Sequence, residues 1–393
     1  MKLSVVQPDL RGRRIFLRAD LNVPLAGDEI TDDTRIRAAI PTLEHCLRSE
    51  ASVVLASHLG RPGGRRDPRC SMKPVLFRLE ELLGRPIPLA PDCVGPTCEE
   101  LAKSLGPGQC LLLENLRFHG EEEANDPVFA QALSRLADCY VNDAFSVSHR
   151  AHASVSAITR CLQPAMAGLL MQRELLVLGQ LANHPKRPVA VILGGARMSD
   201  KLGLIRNLLS RVDHFLIGGA MACTFLKAMG KETGRSLVER ELLSTARQIL
   251  AEAAAKGVEV VLPEDFVIAM CPEQPWTAKP WPANEIPLAM TGLDIGPVTL
   301  GRFRKVLQHA ATVIWNGPVG MFELPPFANG TTEVAKMMVE VRGLTVAAGT
   351  DTAAAVGRAG LADKITYVST AGAAFLQGLE GRELPGVAAL TTV

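Results

Sequence analysis

Residues 14–56 read RIFLRADLNVPLAGDEITDDTRIRAAIPTLEHCLRSEASVVLA. Arg14 to Leu17 is a short apolar run with the look of a strand. Thr34 to Leu47 places Ile36, Ile40, Leu43 and Leu47 on one helical face, and Ser52 to Ala56 is the next strand. The same alternation runs on through a helix at Lys73 to Leu83, a strand at Cys110 to Leu113, a helix at Val128 to Leu136 and a strand at Cys139 to Asn142. In the second half, strands are expected at Val189 to Leu193, His214 to Ile217, Val258 to Leu262, Thr312 to Trp315, Thr345 to Ala347 and Thr366 to Val368. Parallel strands need crossover helices, so the class is α/β, with two separate parallel sheets covered by helices. Gln172 to Leu181 reads as a connecting helix leading into His184 to Pro188.

The bulk properties agree with two domains. The chain has 393 residues and 47% hydrophobic content, enough for two ordinary cores. Lys plus Arg (42) nearly cancels Asp plus Glu (41), so no nucleic-acid or membrane partner is expected and any anion site is built locally. Nine scattered cysteines without a C-x-x-C pair read as buried reduced thiols. The amino-terminal MKLSVVQPDLRGRR lacks a signal peptide's apolar stretch, and no segment approaches the roughly 20 apolar residues of a membrane span. The expectation is a cytoplasmic protein.

Ligands of open parallel sheets bind beyond the carboxyl ends of the strands, so the residues just after each strand matter most. In the first half these are Arg18-Ala-Asp20-Leu-Asn22, His58-Leu59-Gly60-Arg61, Glu114-Asn115-Leu-Arg117, and Asn142-Asp143 followed by His149-Arg150-Ala-His152. A parallel sheet brings Arg61, Arg117 and Arg150 to one edge, with Arg35 able to join them, and guanidinium forks suit phosphate or carboxylate. Each Arg taken alone is also readable as a solvated charge. The histidines suit anion hydrogen bonding better than metal ligation, because their spacing matches no zinc site. Glu121 to Glu123 reads as a solvated helix start. The second half contains neither a P-loop nor a dinucleotide fingerprint. It does place glycine turns after its strands: Gly194-Gly195-Ala-Arg197 with Lys201, Gly218-Gly219, Gly317-Pro-Val-Gly320 with Glu323, Gly349-Thr350-Asp351-Thr352, and Ser369-Thr370-Ala-Gly372. Helix starts there offer N–H groups to phosphates. Tight strand-to-helix packing explains such glycines equally well; Asp351 reads either as an N-cap or as a Mg²⁺ contact, and Lys201 as a ligand or a helix-face charge.

The stretches RADLNVP, SHLGRP, LLENLRFHGEEE, YVNDAFSVSHRAHAS, GGARMSDKL, LPEDFVIA, GLDIGP, WNGPVGMFE, DTAAAV and LEGRELPGV resemble, in order and over essentially the whole chain, the motifs of the phosphoglycerate kinase family. The resemblance implies reversible phosphoryl transfer between ATP/ADP and 3-phosphoglycerate/1,3-bisphosphoglycerate in glycolysis and gluconeogenesis. It also implies Mg²⁺ and a monomeric, hinged, bilobal fold of two Rossmann-like three-layer α/β/α domains. The implied boundaries are 1–170 with 379–393 for 3-phosphoglycerate, 171–188 for the hinge and 189–378 for the nucleotide. Implied for the substrate are Asp20, Asn22, Arg35, His58, Leu59, Gly60, Arg61, Arg117 and Arg150. Implied for the nucleotide are Gly195, Arg197, Lys201, Gly292, Glu323, Gly349, Thr350, Asp351 and Thr352, with Asp351 facing the metal. Arg35, Lys201 and Gly372 would be catalytic.

Several positions depart from the family pattern. Arg197 stands for the usual lysine, Thr350, Ala371 and Ala220 for usual glycines, and Ala373 lies in the altered STGGGA turn. Ser146-Val147-Ser148 replaces the common Gly-Thr-Ala. If the position of Thr350 requires positive φ, threonine there costs on the order of 1 to 2 kcal/mol or forces another path. The expectation is intact phosphoglycerate binding with altered nucleotide affinity or selectivity. The rivals are a weakly active or regulatory homologue and a kinase for another small carboxylate.

Overall fold

The computed structural model describes every residue except His184, so that member of the expected His184 to Pro188 segment lies outside the described residues. Contacts divide the chain into two compact units, Met1–Val177 with Glu383–Val393, and Leu178–Arg382. The division falls within the helix Leu169–Asn183.

Unit 1 is built on a five-stranded, all-parallel sheet in the order Cys110–Leu112, Ser52–Ala56, Arg14–Arg18, Cys139–Asn142, Ala165–Ala167. Its central strand pairs Phe16 with Val54 on one side and Tyr140 on the other. Strands covered on both faces carry unbroken apolar runs, hence Ile15-Phe16-Leu17 before Arg18 and Val53-Val54-Leu55-Ala56 after Ser52. Helix Thr34–Arg48 buries Ile36, Ala39, Leu43, Cys46 and Leu47 against the sheet core, while Pro41 sits exposed on its outer side. The last residues return to unit 1: Leu3 N–H donates to Thr391 O at 2.9 Å, and Gly386 packs against Val155 and Ser148.

Unit 2 holds a six-stranded parallel sheet in the order Glu259–Val261, His214–Ile217, Val189–Leu193, Thr312–Asn316, Leu344–Ala348, Tyr367–Ser369. A second, antiparallel sheet of Lys279–Pro282, Asp265–Ala269 and Thr291–Ile295 was not legible in the sequence. Its strands carry Pro280, Pro282 and Gly292, which obscure the alternation that marks half-buried strands. The two-proline strand pairs on one side only, where missing N–H groups cost least. Helices Pro297–Leu307 and Asn329–Glu340 cover the main sheet with Leu300, Phe303, Leu307, Val334 and Met338. No helix among the described residues is long and apolar enough to cross a membrane.

Candidate active site

In unit 1 the ends of four parallel strands deliver cations and their positioning groups to one place. Arg18, the last residue of the central strand, is 1% exposed. Its Nε donates to Ser154 Oγ at 2.9 Å and an Nη to His58 Nδ1 at 3.2 Å. Arginine only donates, so His58 Nδ1 accepts and its proton sits on Nε2. Asp20 Oδ2 forms an ion pair with Arg35 at 3.1 Å and accepts from the Ser146 hydroxyl, while its Oδ1 accepts from Asn22 N–H. Asn22 in turn accepts the Gly60 N–H through Oδ1 at 2.8 Å and an Arg35 N–H through its carbonyl at 3.0 Å. Gly60 has φ 64, and a Cβ there would lie 2.9 Å from Cys70 Sγ, so glycine is required by both conformation and space.

Arg117 sits on a single 3₁₀ turn, Leu116–Phe118. The turn is held by fully buried Asn115, which accepts the Arg117 N–H at 3.0 Å and donates to the carbonyls of Leu59 and Cys70 at 2.7 and 2.8 Å. Arg117 itself is 5% exposed, donates to Gly60 O at 2.8 Å and faces Glu123 at 3.4 Å. Arg150 is exposed, with its Nε 3.1 Å from His149 Nε2. Arg61 is exposed too, and its guanidinium makes no hydrogen bond or ion pair among the described residues.

These charges shape one another. Burial first, then Arg18, Arg117 and Arg35, push His58 well below the ordinary imidazole value. Burial, Arg18, Arg117 and Arg150 push His152 down to about 4. Both rings are therefore neutral at pH 7 and act as dipolar donors rather than cations. Glu122 is not the solvated residue its sequence suggests. It is 1% exposed, accepts from Ser154 N–H at 2.9 Å and Ser154 Oγ at 2.6 Å, and lies 3.9 Å from His152. The result is a pocket with arginine charge in excess of nearby carboxylates, which suits an anion.

Unit 2 gathers its glycine turns around a concavity of about 540 Å³ whose lining includes Gly195, Ala220, Arg235, Leu237, Gly292, Met321, Glu323 and Asp351. The turns pack backbone on backbone: a Cβ on Gly194 would lie 2.1 Å from Pro318 O, and one on Gly317 would lie 2.3 Å from Gly194 O. Lys201 is half-buried, donates to Asn316 Oδ1, and has its pKa lowered by burial. Asn316 Nδ2 donates to Ala348 O at 2.6 Å, and Thr352 Oγ1 accepts the Gly317 N–H at 2.8 Å. Gly349 has φ 102 and caps helix Thr350–Arg358; Gly372 has φ 54 and caps Ala373–Leu379.

The backbone overturns the strain expected of the altered turns. Gly349, not Thr350, occupies the left-handed region, and Thr350 is the first helical residue. Ala220 has φ −64, and the positive values near it and near Ala371 belong to Gly219 and Gly372. The replaced glycines thus stand where an L side chain fits, and the retained ones where it does not. Nor is Asp351 an N-cap. It is the second helical residue, exposed, with no hydrogen bond or ion pair among the described residues. Arg197 is 65% exposed and only 4.0 Å from Asp200.

With this geometry in place, relatives can be compared. The family model described as phosphoglycerate kinase matches residues 5–382. The chain belongs to the phosphoglycerate kinase family. It is 48% identical to the phosphoglycerate kinase of Pelotomaculum thermopropionicum over 99% of both chains. It is 50% identical to the cytosolic phosphoglycerate kinase of Triticum aestivum, covering 98% of this chain and 96% of the relative. The solved phosphoglycerate kinase structure from Coxiella burnetii superposes with a TM-score of 0.89 at 35% identity, covering 99% of this chain and 98% of that one. The protein is thus a phosphotransferase of glycolysis with ATP and ADP as substrates.

The structure links Asp20, Asn22, Arg35, Gly60 and Arg117 through hydrogen bonds and an ion pair, with Leu59 tied in through its carbonyl, while His58 bonds Arg18 and stands 4.0 Å from Asp20. Arg150 joins through the fields it exerts on Arg117 and His152, whereas Arg61 stands at the rim. Sequence reasoning quotes Arg18 and Asn115 among the residues after the strands but assigns them no role, and it gives none to Ser146 or Asn316. Arg18 and Asn316 are strand-terminal polar residues, the one signal that could have found them. Ser146 carried only the signal of replacing a common glycine.

Proposed function

We propose that unit 1 binds 3-phosphoglycerate through Arg35, His58, Arg61, Arg117 and Arg150, with Asp20, Asn22 and the Leu59-Gly60 backbone holding the glycerate part. Unit 2 binds ATP or ADP through the turns at Gly195, Gly292 and Gly349–Thr352, with Lys201 and Glu323. The observation that carries the reading is the convergence of five arginines, Arg18 and Arg117 buried and Arg35, Arg61 and Arg150 at more open positions, around two neutral histidines, which together offer an anion more cationic donors than Asp20, Glu122 and Glu123 offset.

Phosphoryl transfer is mainly positioning and stabilisation of charge on the equatorial oxygens. The acceptor carboxylate is already ionised at neutral pH, so no general base is needed. Its oxygen forms the new bond to the γ-phosphorus as the bond to the bridging oxygen breaks, and that electron pair leaves with ADP. Arg35, released from Asp20 and the Asn22 carbonyl, is the cation for the transferring group, and Lys201 and the Gly372 turn serve the nucleotide side. The free Asp351 carboxylate at a helix start fits Mg²⁺, a hard cation that takes one or two carboxylates plus phosphate oxygens and water. When bound, Mg²⁺ supplies neutralisation of the phosphate charge.

Domain closure that excludes water from the acyl phosphate, a monomeric state, a cytoplasmic location and the absence of nucleic-acid or membrane partners belong to the same proposal. A coupled assay with ATP, Mg²⁺ and 3-phosphoglycerate tests it. Turnover is expected with this acceptor, and its absence, or a need for another carboxylate, overturns the reading. The normal backbone of the altered turns leaves side-chain differences, at Arg197, Ala220, Thr350 and Ala371, to change nucleotide affinity. Calorimetry of MgADP binding, and of ATP against GTP, measures that remainder.

A further inference from the structure

Away from the acceptor pocket, unit 1 brings three side chains with metal-binding chemistry together: Asp92, Cys93 and His119. Ligand atoms of Asp92, Cys93 and His119 all lie within 4.8 Å of one another. The centre of such a triangle is at most about 2.8 Å from each corner, against about 2.0–2.3 Å for bonds from zinc to nitrogen, oxygen or sulfur. Inward movement of less than an ångström closes the difference. We propose that Asp92, Cys93 and His119 form a binding site for a soft divalent cation of the zinc class.

The elements around the site hold it in shape. The His119 ring stacks on Phe129 with centroids 5.1 Å apart, and its Nε2 is 2.7 Å from Asp92 Oδ1. The Cys98 thiol, in the first turn of helix Pro96–Ser104, donates to Asp92 O at 3.2 Å. Cys93 is fully buried, whereas Asp92 and His119 are partly exposed, so an ion enters from the solvent side. One thiolate and one carboxylate balance the charge of a divalent ion, and a sulfur-nitrogen-oxygen donor set favours zinc over magnesium. Cysteine ligates zinc as its thiolate, so binding releases a proton and tightens as pH rises. The bound ion staples the loop at Asp92 to the chain just after the Arg117 turn, a structural role that does not depend on the substrate assignments.

Reduced, chelator-treated protein titrated with Co²⁺, followed by Zn²⁺ displacement, tests the site. One Co²⁺ per chain is expected, with a thiolate-to-cobalt absorption band. The band disappears in Cys93→Ser, binding weakens at least tenfold in His119→Gln, and both are unchanged in Cys161→Ser, which removes an exposed thiol. Zinc raises the Tm of the parent but not of His119→Gln. Absence of the band at stoichiometric metal, its survival in Cys93→Ser, or its loss in Cys161→Ser overturns the proposal. If Cys93→Ser does not fold, the partly exposed His119→Gln decides, because full-strength binding in that variant is equally fatal.

Discussion

Single side chains decide how the acceptor pocket is tuned. Ser146 stands where the family commonly has glycine, and its hydroxyl donates to the Asp20 oxygen that also receives Arg35. Ser146→Ala removes one of the donors that orient that carboxylate, so KM for 3-phosphoglycerate should rise several-fold while KM for ATP stays fixed in steady-state assays, and Thr at the position should restore most of the loss. At the nucleotide side, Gly349 and Thr350 should respond in opposite ways. Gly349→Ala places a side chain at φ 102, with its Cβ 2.7 Å from Asn316 Nδ2. Left-handed backbone costs an alanine about 1–2 kcal/mol, and calorimetry should show weakened MgADP binding. Thr350→Gly, at an unstrained helical position, should change stability by no more than about 1 kcal/mol in denaturant titrations.

At the scale of elements, the pocket depends on how short segments are tied at strand ends. The turn Leu116–Phe118 is too short to hold Arg117 by its own hydrogen bonds, and Asn115 fastens it to the loops at Leu59 and Cys70. Asn115→Ala leaves buried carbonyls without donors, at about 1–3 kcal/mol, and releases Arg117. Both a loss of stability by chemical unfolding and a raised KM for 3-phosphoglycerate should follow. Unit 2 uses buried carboxylates in the same way. Asp265 caps helix Pro297–Leu307 through the N–H groups of Val298 and Thr299, and Asp294 holds the N–H of Gly330 at the start of Asn329–Glu340. Burial pushes the Asp294 carboxyl up to about 7 despite these bonds.

Over the whole molecule, buried titratable groups pull stability in two directions. His58 and His152 have folded pKa values below the unfolded value of 6.5, so the unfolded chain takes up protons that the folded one cannot. Their contribution is present above 6.5 and is lost as pH falls, for His152 through about 4. Asp143, raised to about 6, and Asp294, raised to about 7, act the other way, with stability lost as pH rises through those values. His152→Gln should therefore lose about 1–3 kcal/mol less than the parent between pH 6.5 and 4. Hydrogen exchange in strand Cys139–Asn142 measures it. The amino-acid sequence by itself determined the α/β class, the strands of both parallel sheets apart from Ala165–Ala167, and most polar residues after the strands. Those features follow from local periodicity and from the rule that ligands meet strand ends. Tertiary structure alone decided which of those residues meet. It placed Arg18 and Glu122 in the interior, freed Asp351 from capping, set Thr350 at negative φ, and paired the proline-bearing strands into an antiparallel sheet. Burial, hydrogen-bond partners and backbone dihedrals depend on contacts between residues far apart in the chain, and no window of sequence contains them.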